Sequence, residues 1–558
     1  MVATHDRLLN CLATLLVILT VLIYLGYLVV YVAYAVELFQ WPFDYDQGEG
    51  FELNDAILYG RGEWPYRDNT AFPFYASNYP PVFHLLIVPL QLIVGQQVVT
   101  GRLVSFVATL ITAGTIFLVV RRKGGGAKRG RLGNWLIPLI SGLGFLASNY
   151  VYQIGPLCRM HMTMVMFETL AIAFIAEFEH PRRGGRNLLV GLALLFLAGY
   201  TKQTAVFTVA AAISYVFLRD MRKGLIAGVG LALAAGSVFW LLNMATDGQW
   251  WVNIIQANVN EFDYRQTLFL FGQWFRLHTL FVVLAVGTFI YELFWDRLSA
   301  YSLWFFLALG VGALSGKWGA GFGYFSTAVA AACVTSGIAL GKLSKRAETS
   351  SALHLVPRES LRPLLAICVA LLYLVQAPRM LHMPTAGPVF GPLARALGVN
   401  DKLVYGTQEN LAPTHCVPVA YHDAMGYTQL GHFLTPEDFA AGKEIMSQVQ
   451  ATAGPVLSEE AMFSILADKP VVTNPTQLLN LHKSGLLDTS TLVDYVERQV
   501  FDLVIFRAQF YPAPVLEAIG QSYSPVDHVC MNGFTYHLLW PRRRLDQASM
   551  SLQGGRLR

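Results

Sequence analysis

The sequence predicts a polytopic α-helical membrane protein of about eleven spans, followed by a C-terminal α/β domain outside the cytoplasm. Three observations lead to this fold class: recurrent long apolar segments, a low charge content and clustered basic residues. Of the 558 residues, 54% are hydrophobic and 14% are charged, whereas soluble domains carry about 25% charged residues. The net charge of +4 includes no basic stripe, which argues against nucleic acid as a partner.

Apolar segments of membrane length recur up to residue 377 and then stop. A helix needs about 20 apolar residues to cross a bilayer. The first segment is longer than the roughly 7–15 residues of a signal-peptide core, so we interpret it as a retained span. The predicted spans are 8–38, 102–120, 133–152, 162–178, 187–201, 203–218, 224–243, 277–295, 300–316, 324–341 and 362–377.

The short apolar segment 81–95 contains Pro89, and it predicts either a further span or a helix lying in the membrane interface. The basic residues decide between these, because cytoplasmic loops are rich in Lys and Arg. With 81–95 on the outer surface, all basic clusters fall in cytoplasmic loops; they lie at 121–131, 182–186, 219–223, 297 and 342–362. We therefore expect the loop 39–101 and the chain beyond 380 to be extracytoplasmic.

The chain is thus expected to comprise a membrane module at 1–379, an α/β domain at 380–545 and a disordered tail at 546–558. In the second unit, apolar runs predict buried strands at 455–458, 470–473 and 501–506. Predicted helices alternate with them at 436–450, 459–467 and 490–499, which favours a partly parallel sheet. Cys416 and Cys530 also lie in this unit, where they could form a disulfide or stay as buried thiols.

The first outer loop is rich in acidic residues. Its acids are Asp44, Asp46, Glu49, Glu52, Asp55, Glu63 and Asp68, against the bases Arg61 and Arg67. The first acids stand among aromatic residues and glycines, where a packed carboxylate can have a shifted pKa. A solvated acidic surface loop is the alternative. If the stretch after Asp46 is helical, Asp46 and Glu49 share one face.

Four motifs follow one another in this region: Asp46-Gln-Gly-Glu49, Gly62-Glu-Trp-Pro-Tyr66, Tyr79-Pro-Pro81 and Arg102. Their order and spacing resemble the first luminal loop of GT-C superfamily glycosyltransferases, such as the protein O-mannosyltransferases and the lipid A aminoarabinose transferase. The resemblance covers residues 1–120 well and the remaining spans loosely. An extracytoplasmic C-terminal domain is common in that superfamily.

The resemblance implies an inverting hexosyl- or pentosyltransferase that moves a sugar from a polyprenyl-phosphate donor to a glycan, lipid or protein acceptor. It implies that a loop Asp is the general base for the acceptor hydroxyl, with Asp46 as first candidate and Asp44 as second. Because Gln47 replaces the acid of the family's Asp-Glu pair, Asp44 or Glu49 would supply the second carboxylate. No cofactor is required, although a divalent cation would fit between these acids.

Departure of a lipid phosphate develops negative charge at the outer interface, and fixed cations stabilise such charge. The candidates are the isolated cations at outer span ends: Arg102, Arg159, Lys202 and Lys317. Lys317 opens a glycine-rich stretch ending at Tyr324, whose backbone N–H groups would reach a phosphate. Each cation could instead be an anchor at a helix end. His161 has no metal-ligand spacing around it, and we interpret it as structural.

Two other functions stay open from the sequence. A lipid-linked glycan polymerase or ligase would share this topology. A secondary transporter of an anionic or lipidic solute would need ionisable residues near the bilayer midplane and paired broken helices, and Glu168 is almost the sole candidate there. Because no Asn-x-Ser/Thr site has a permitted middle residue, we expect a multi-pass protein of a bacterial plasma membrane.

Overall fold

The computed structural model describes residues 2–124, 135–349, 358–380 and 433–544, together with positions 392, 395 and 396. The expected tail at 546–558 and Cys416 lie outside these residues. The first 380 residues form helices α1 (Val2–Gln40), α2 (Glu49–Gly60), α3 (Val82–Val94), α4 (Val99–Gly124), α5 (Ile137–Ala147), α6 (Asn149–Ile154), α7 (His161–Ile175), α8 (Gly184–Gly199), α9 (Val206–Arg219), α10 (Met221–Ala245), α11 (Gln249–Ile254), α12 (Tyr264–Leu277), α13 (Thr279–Trp295), α14 (Ala300–Ala313), α15 (Ser326–Thr349) and α16 (Arg358–Met380).

Each predicted span overlaps a helix of the structure, which confirms a polytopic membrane fold. Within the described part, five segments are long and apolar enough to cross a membrane by themselves: Arg7–Gln40, Val99–Gly124, Met221–Ala245, Phe322–Ala347 and Ser360–Met380. Helices α12 and α13 qualify as a pair, bent by 98° at their junction. Most of the other predicted spans form apolar helices of 10–17 residues. Each is shorter than the about 20 residues of a full span, and the predicted span 133–152 is divided at Ser148 into α5 and α6.

Helix α3 occupies the ambiguous segment 81–95. It has 13 residues, contains Pro89 and buries Phe83, His84 and Ile87. At 1.5 Å per residue it is about 20 Å long, shorter than the roughly 30 Å hydrocarbon core of a bilayer. Its length therefore supports the prediction that this segment does not cross the membrane alone.

Small residues let the membrane helices approach closely. A Cβ added at Gly341 of α15 would lie 2.5 Å from the carbonyl oxygen of Gly124 in α4, and one at Gly142 of α5 would lie 2.8 Å from that of Ala113 in α4. Such glycine contacts are typical of packed membrane helices. The mid-span acid Glu168 is fully buried and accepts hydrogen bonds from the Thr208 and Thr327 hydroxyls, at 2.7 and 2.6 Å.

The C-terminal unit contains a four-stranded sheet flanked by helices. Its elements are α17 (Pro436–Gln450), β1 (Val456–Ser458), α18 (Ala461–Leu466), α19 (Pro475–Lys483), α20 (Ser490–Glu497), β2 (Leu503–Phe506), α21 (Ala513–Ser522), β3 (Tyr523–Met531) and β4 (Phe534–Pro541). The strand order is β1-β2-β4-β3, with β1 and β2 parallel and the other pairs antiparallel. The prediction of a partly parallel sheet is confirmed. Cys530 is disulfide-bonded.

Two expectations for this unit were incorrect in detail. The predicted strand at 470–473 is wrong: Val472 is buried but packs with Leu478 and Leu481 beneath α19, which begins directly after it. The hairpin β3–β4 was not predicted. Its turn, Asn532-Gly533, has φ of 49° and 71°, the left-handed backbone that favours these residues in two-residue hairpins.

Candidate active site

The acidic loop is packed between the membrane module and the C-terminal unit. Trp41, Phe43 and Tyr45 are all buried. The Trp41 ring lies 4.9 Å from that of Phe439 in α17, and the Phe43 ring lies 5.4 Å from that of Phe463 in α18, measured between centroids. The first part of the loop is therefore not solvated, and its acids from Asp44 to Asp55 are buried, whereas Glu63 and Asp68 are exposed.

Arg102 and Glu49 form a buried ion pair that fixes the loop to α4. The Arg102 Nε and Nη2 atoms donate to the two Glu49 carboxylate oxygens at 2.9 and 2.7 Å. Arg102 also donates to the carbonyl oxygens of Leu38, Trp41 and Phe43. Both side chains are fully buried, and bidentate pairs of this kind are strong and directional. Every donor position of this arginine faces the loop.

Asp44 links the loop to the C-terminal unit. Its carboxylate accepts hydrogen bonds from the backbone N–H groups of Gly50, at 2.5 Å, and of Met462, at 3.0 Å. Burial and the nearby Glu460 carboxylate raise the pKa of Asp44 well above its ordinary value. Asp44 is fully buried and does not line the cavity in which Asp46 lies.

A cavity of about 160 Å³ lies where the loop, the ends of several membrane helices and the C-terminal unit meet. It is mixed in character, with carboxylates, cations, phenols and glycines in its wall. The residues lining it are Asp46, Gln47, Gly48, Phe51, Glu52, Asn78, Tyr79, Ile154, Leu157, Arg159, His161, Lys202, Gly319, Gly321, Phe322, Gly323, Tyr324, Asn474 and Thr476. Four of the predicted site residues thus come together here: Asp46, Arg159, Lys202 and Tyr324.

Arg159 holds two carboxylates of the loop. Its Nε lies 2.5 Å from Asp46 Oδ2, and its Nη1 lies 3.4 Å from Glu52 Oε1. Burial lowers the pKa of Arg159, but the charges of Asp46 and Glu52 outweigh it and raise the pKa above its ordinary value. A Cβ added at Gly48 would lie 2.1 Å from the guanidinium, so a side chain at this position would displace Arg159.

Lys202 is a buried cation without an ionic partner. Its Nζ lies 2.7 Å from His161 Nε2 and faces the rings of Tyr324 and Tyr79, at 4.7 and 5.8 Å from their centroids. Among the described residues, no carboxylate forms an ion pair with it. Burial and the positive charge of Arg159 lower the pKa of Lys202 to about 7. An anion that entered the cavity would meet this ammonium.

The Lys317 side chain lies away from the cavity, whereas the glycine-rich stretch that follows it lines the cavity. The Lys317 ammonium donates to the carbonyl oxygen of Asn258 and does not line the cavity. Gly319, Gly321 and Gly323 do line it, and Gly319 has a φ of 76° that favours glycine. Of the predicted residues, Lys317, Arg102, Asp44 and Glu49 therefore lie outside the cavity wall.

Among the described residues, Glu52, Asp55 and His84 are placed as the ligands of a metal ion would be. Their ligand atoms lie within 4.8 Å of one another. His84 Nε2 lies 2.7 Å from Glu52 Oε2 and 3.5 Å from Asp55 Oδ2. Burial raises the pKa of Asp55 to about 7. Burial lowers the pKa of His84, but the two carboxylates outweigh it and raise the pKa above its ordinary value. The expected cation position between Asp44, Asp46 and Glu49 does not form such a group.

Several cavity residues escaped the sequence reasoning. Glu52 lies one helical turn after Gly48, and Tyr79 belongs to the Tyr-Pro-Pro motif, so both had a local signal. His161 had none, because its partner Lys202 lies 41 positions away. Asn474 and Thr476 come from a separate unit of the chain, whose docking no local pattern reveals.

Comparisons with known proteins give structural matches only. No protein-family model and no curated protein sequence matches this chain. The crystal structure of ArnT from Cupriavidus metallidurans in the apo state is similar, with 15% identity, a TM-score of 0.54 and coverage of 92% of this chain and 98% of that one. The structure of the same protein bound to undecaprenyl phosphate gives a TM-score of 0.55 at the same identity and coverage.

The oligosaccharyltransferase of Archaeoglobus fulgidus, in complex with Zn and sulfate, gives a TM-score of 0.47 at 12% identity, over 93% of this chain and 72% of that one. The TM-scores with the two ArnT structures are above 0.5, and these matches cover almost the whole of both chains. ArnT is the lipid A aminoarabinose transferase of the GT-C superfamily. The predicted resemblance to GT-C glycosyltransferases is thereby confirmed for the fold.

Proposed function

We propose that this protein is an inverting glycosyltransferase that moves a sugar from a polyprenyl-phosphate donor to an acceptor outside the cytoplasm. The observation that carries the proposal is the cavity that both the Asp46 carboxylate and the Lys202 ammonium line, where Lys202 forms no ion pair with a described residue. The fold agrees with it, because the similar ArnT structure is bound to undecaprenyl phosphate. A proton acceptor and an anion site in one enclosed space are what such a transfer needs.

Asp46 is the proposed general base. It takes the proton of the acceptor hydroxyl while that oxygen forms a bond to the anomeric carbon of the sugar. The bond between this carbon and the phosphate oxygen breaks on the opposite side, and the phosphate leaves with the electron pair, so the configuration inverts. The Arg159 guanidinium, whose Nε lies 2.5 Å from Asp46 Oδ2, holds the Asp46 carboxylate in position.

Lys202 is the proposed binding group for the donor phosphate, assisted by Arg159, Tyr324 and the glycine backbone at 319–323. Its ammonium has no competing carboxylate, and an anion in contact would favour its charged form. Arg102 and Lys317 were further candidates. Because Arg102 is engaged by Glu49 and three carbonyl groups, and Lys317 by a carbonyl, we propose positioning roles for them instead.

The transfer is proposed to need no cofactor. If a divalent cation takes part, the Glu52, Asp55 and His84 group is where it would bind, since one imidazole and two carboxylates suit Zn²⁺ or Mn²⁺. The buried His84 Nδ1 has no hydrogen-bond partner among the described residues. A cation there would neutralise the charge of Glu52, so that Arg159 would form its ion pair with Asp46 alone. Elemental analysis of the purified protein, before and after chelation, measures whether one is bound.

We propose that the cavity faces away from the cytoplasm, in the plasma membrane of a bacterium. The units 1–379 and 380–545 keep their proposed roles as membrane module and extracytoplasmic domain. The basic clusters in the loops that would then be cytoplasmic support this orientation. The acceptor on that side is a glycan, a lipid or a protein.

The test of the base is Asp46→Asn in the full-length protein. We expect sugar transfer to fall about 10²–10⁴-fold, the range of a general-base contribution, while binding of undecaprenyl phosphate stays within a factor of two to three. Asp44→Asn is the matched control, because it changes a neighbouring acid that does not line the cavity. Full transfer activity in Asp46→Asn would contradict the proposal.

A further inference from the structure

The C-terminal unit forms part of the cavity wall. Asn474 and Thr476, at the start of α19, both line the cavity. Thr476 is half-buried, whereas every other residue of the stretch 471–478 is buried. Thr476, which lines the cavity, is therefore the one partly exposed residue of this stretch.

Buried amide groups fix this wall in place. Asn253, in α11 of the membrane module, accepts hydrogen bonds at Oδ1 from Asn69 of the first loop and from Gln477, the residue after Thr476. Asn253 Nδ2 in turn donates to the carbonyl oxygen of Arg67 at 3.0 Å. The first loop, α11 and α19 thus meet at one buried side chain, so Thr476 has a defined position relative to Asp46.

The cavity offers no spare cation for a second anion. Arg159 contacts both Asp46 and Glu52, and His84 contacts both Glu52 and Asp55. Lys202 forms no ion pair with a described residue, and the donor phosphate of the proposed function would be its counter-ion. A second anionic group would be enclosed without a counter-charge, which is costly. The charge balance therefore favours a neutral acceptor group.

Two hydrogen-bonding groups at the cavity have no partner among the described residues. The first is the Thr476 hydroxyl, beside which Asn474 lines the cavity while its Oδ1 accepts from the Gln477 N–H and caps α19. The His161 Nδ1 atom, on a residue that also lines the cavity, is buried and has no partner in the described part of the chain. A hydroxyl can both donate and accept, so it can satisfy a threonine hydroxyl and an imidazole nitrogen alike.

We propose that Thr476 and Asn474 bind the acceptor and that the attacking group is the neutral hydroxyl of a sugar or another alcohol, not a phosphate or a carboxylate. This inference rests on the proposed function. The hydroxyl oxygen bonds to the anomeric carbon, its proton passes to Asp46, and the carbon–oxygen bond to the donor phosphate breaks. The product is an O-glycoside and a free polyprenyl phosphate.

The test identifies the product by comparing labelled material from cells with the active protein and from cells with the Asp46→Asn variant. Cells producing the full chain, Asp46→Asn or Thr476→Val are grown on radiolabelled glucose, and their envelopes are extracted with organic solvent to remove lipid-linked donors. The label that Asp46→Asn loses belongs to this protein. We expect it to survive mild acid, which cleaves glycosyl phosphates and spares O-glycosides. A neutral hydrogen bond contributes modestly, so Thr476→Val should lower the initial rate of labelling about three- to ten-fold.

Controls separate this inference from the proposed function. Thr489→Val is the matched control, because Thr489 also precedes a helix of the C-terminal unit, makes no capping hydrogen bond and does not line the cavity. Undecaprenyl phosphate binding should be unchanged in Thr476→Val, which also verifies folding. A product released by mild acid, or unchanged labelling in Thr476→Val, overturns this inference while the transferase stands. No loss of label in Asp46→Asn overturns the proposed function itself.

Discussion

At the scale of single residues, Lys202 has the environment most suited to binding an anion. A neutral imidazole and two phenol rings surround its ammonium, so its charge is partly stabilised but not neutralised. The sequence predicts Lys317, Lys202, Arg159 and Arg102 as candidates because each is an isolated cation at a predicted span end, and it favours Lys317 for the glycines that follow it. Only their partners distinguish them, and those partners come from distant parts of the chain.

Lys202→Met should weaken binding of undecaprenyl phosphate roughly ten- to hundred-fold, because a charge-assisted hydrogen bond is worth about 1.5–3 kcal/mol. Lys317→Met should weaken it less, since the Lys317 ammonium donates to a carbonyl outside the cavity. Arg265→Met, at an exposed position on α12, is the control for surface charge. The measurement is binding to the purified protein in nanodiscs, and equal effects of all three substitutions would rule out a phosphate site at Lys202.

The pH dependence of this binding has a defined sign. Because the pKa of Lys202 is lowered to about 7, the ammonium is charged below that pH and loses its proton above it, so affinity should fall as the pH rises through 7. Lys202→Arg stays charged throughout and should lack this fall. The phosphate itself titrates in both proteins, so the difference between their profiles isolates the lysine; identical profiles would exclude it.

At the scale of elements, the acidic loop is held by Arg102 from α4 and by Met462 from α18. The sequence places Asp46-Gln-Gly-Glu49 and Arg102 in one ordered series of motifs, and the family resemblance puts Asp46 ahead of Asp44. The residues alone do not separate the acids that hold the loop, Asp44 and Glu49, from the one that lines the cavity, Asp46. That distinction depends on the direction of each side chain within a turn whose shape is set by tertiary contacts.

Arg102→Lys should keep the charge but lose the two-pronged contact with Glu49 and most of the contacts with the loop carbonyls. We expect a clear fall in melting temperature together with reduced transfer, because Asp46 would no longer be held in position. Arg61→Lys, at an exposed loop position, is the matched substitution and should change neither. Stability equal to that of the wild type in Arg102→Lys would show that the ion pair does not hold the loop.

The hydrophobic pattern predicted the helices better than it predicted which parts of the chain pack together. Apolar length was enough to locate the helices, because the bilayer requirement acts on each segment separately. The hairpin β3–β4 had a usable local signal in Asn532-Gly533, which was overlooked. The docking of Thr476 beside Asp46 had no such signal, since it depends on Asn253, a buried amide in a third segment.

At the scale of the whole molecule, orientation in the membrane decides which substrates reach the cavity. Single cysteines at Ala71 or Ser484, both exposed, should react with an impermeant maleimide on intact cells, and one at Arg122 should react only after lysis. The background should lack the free thiols Cys11, Cys158, Cys333 and Cys368 and keep Cys530. Labelling of Arg122→Cys from outside would reverse the proposed orientation and the acceptor side with it.

The contact between Asp44 and the Met462 backbone spans 418 positions, and that between Asn532 and the Tyr45 carbonyl spans 487. A chain is synthesised from its N-terminus, so the acidic loop is made long before its last partners exist. Until Met462 is made, Asp44 lacks one of the two backbone N–H groups that donate to it, and until Asn474 and Thr476 follow, the cavity lacks one wall. The site is therefore complete only after most of the chain has been made.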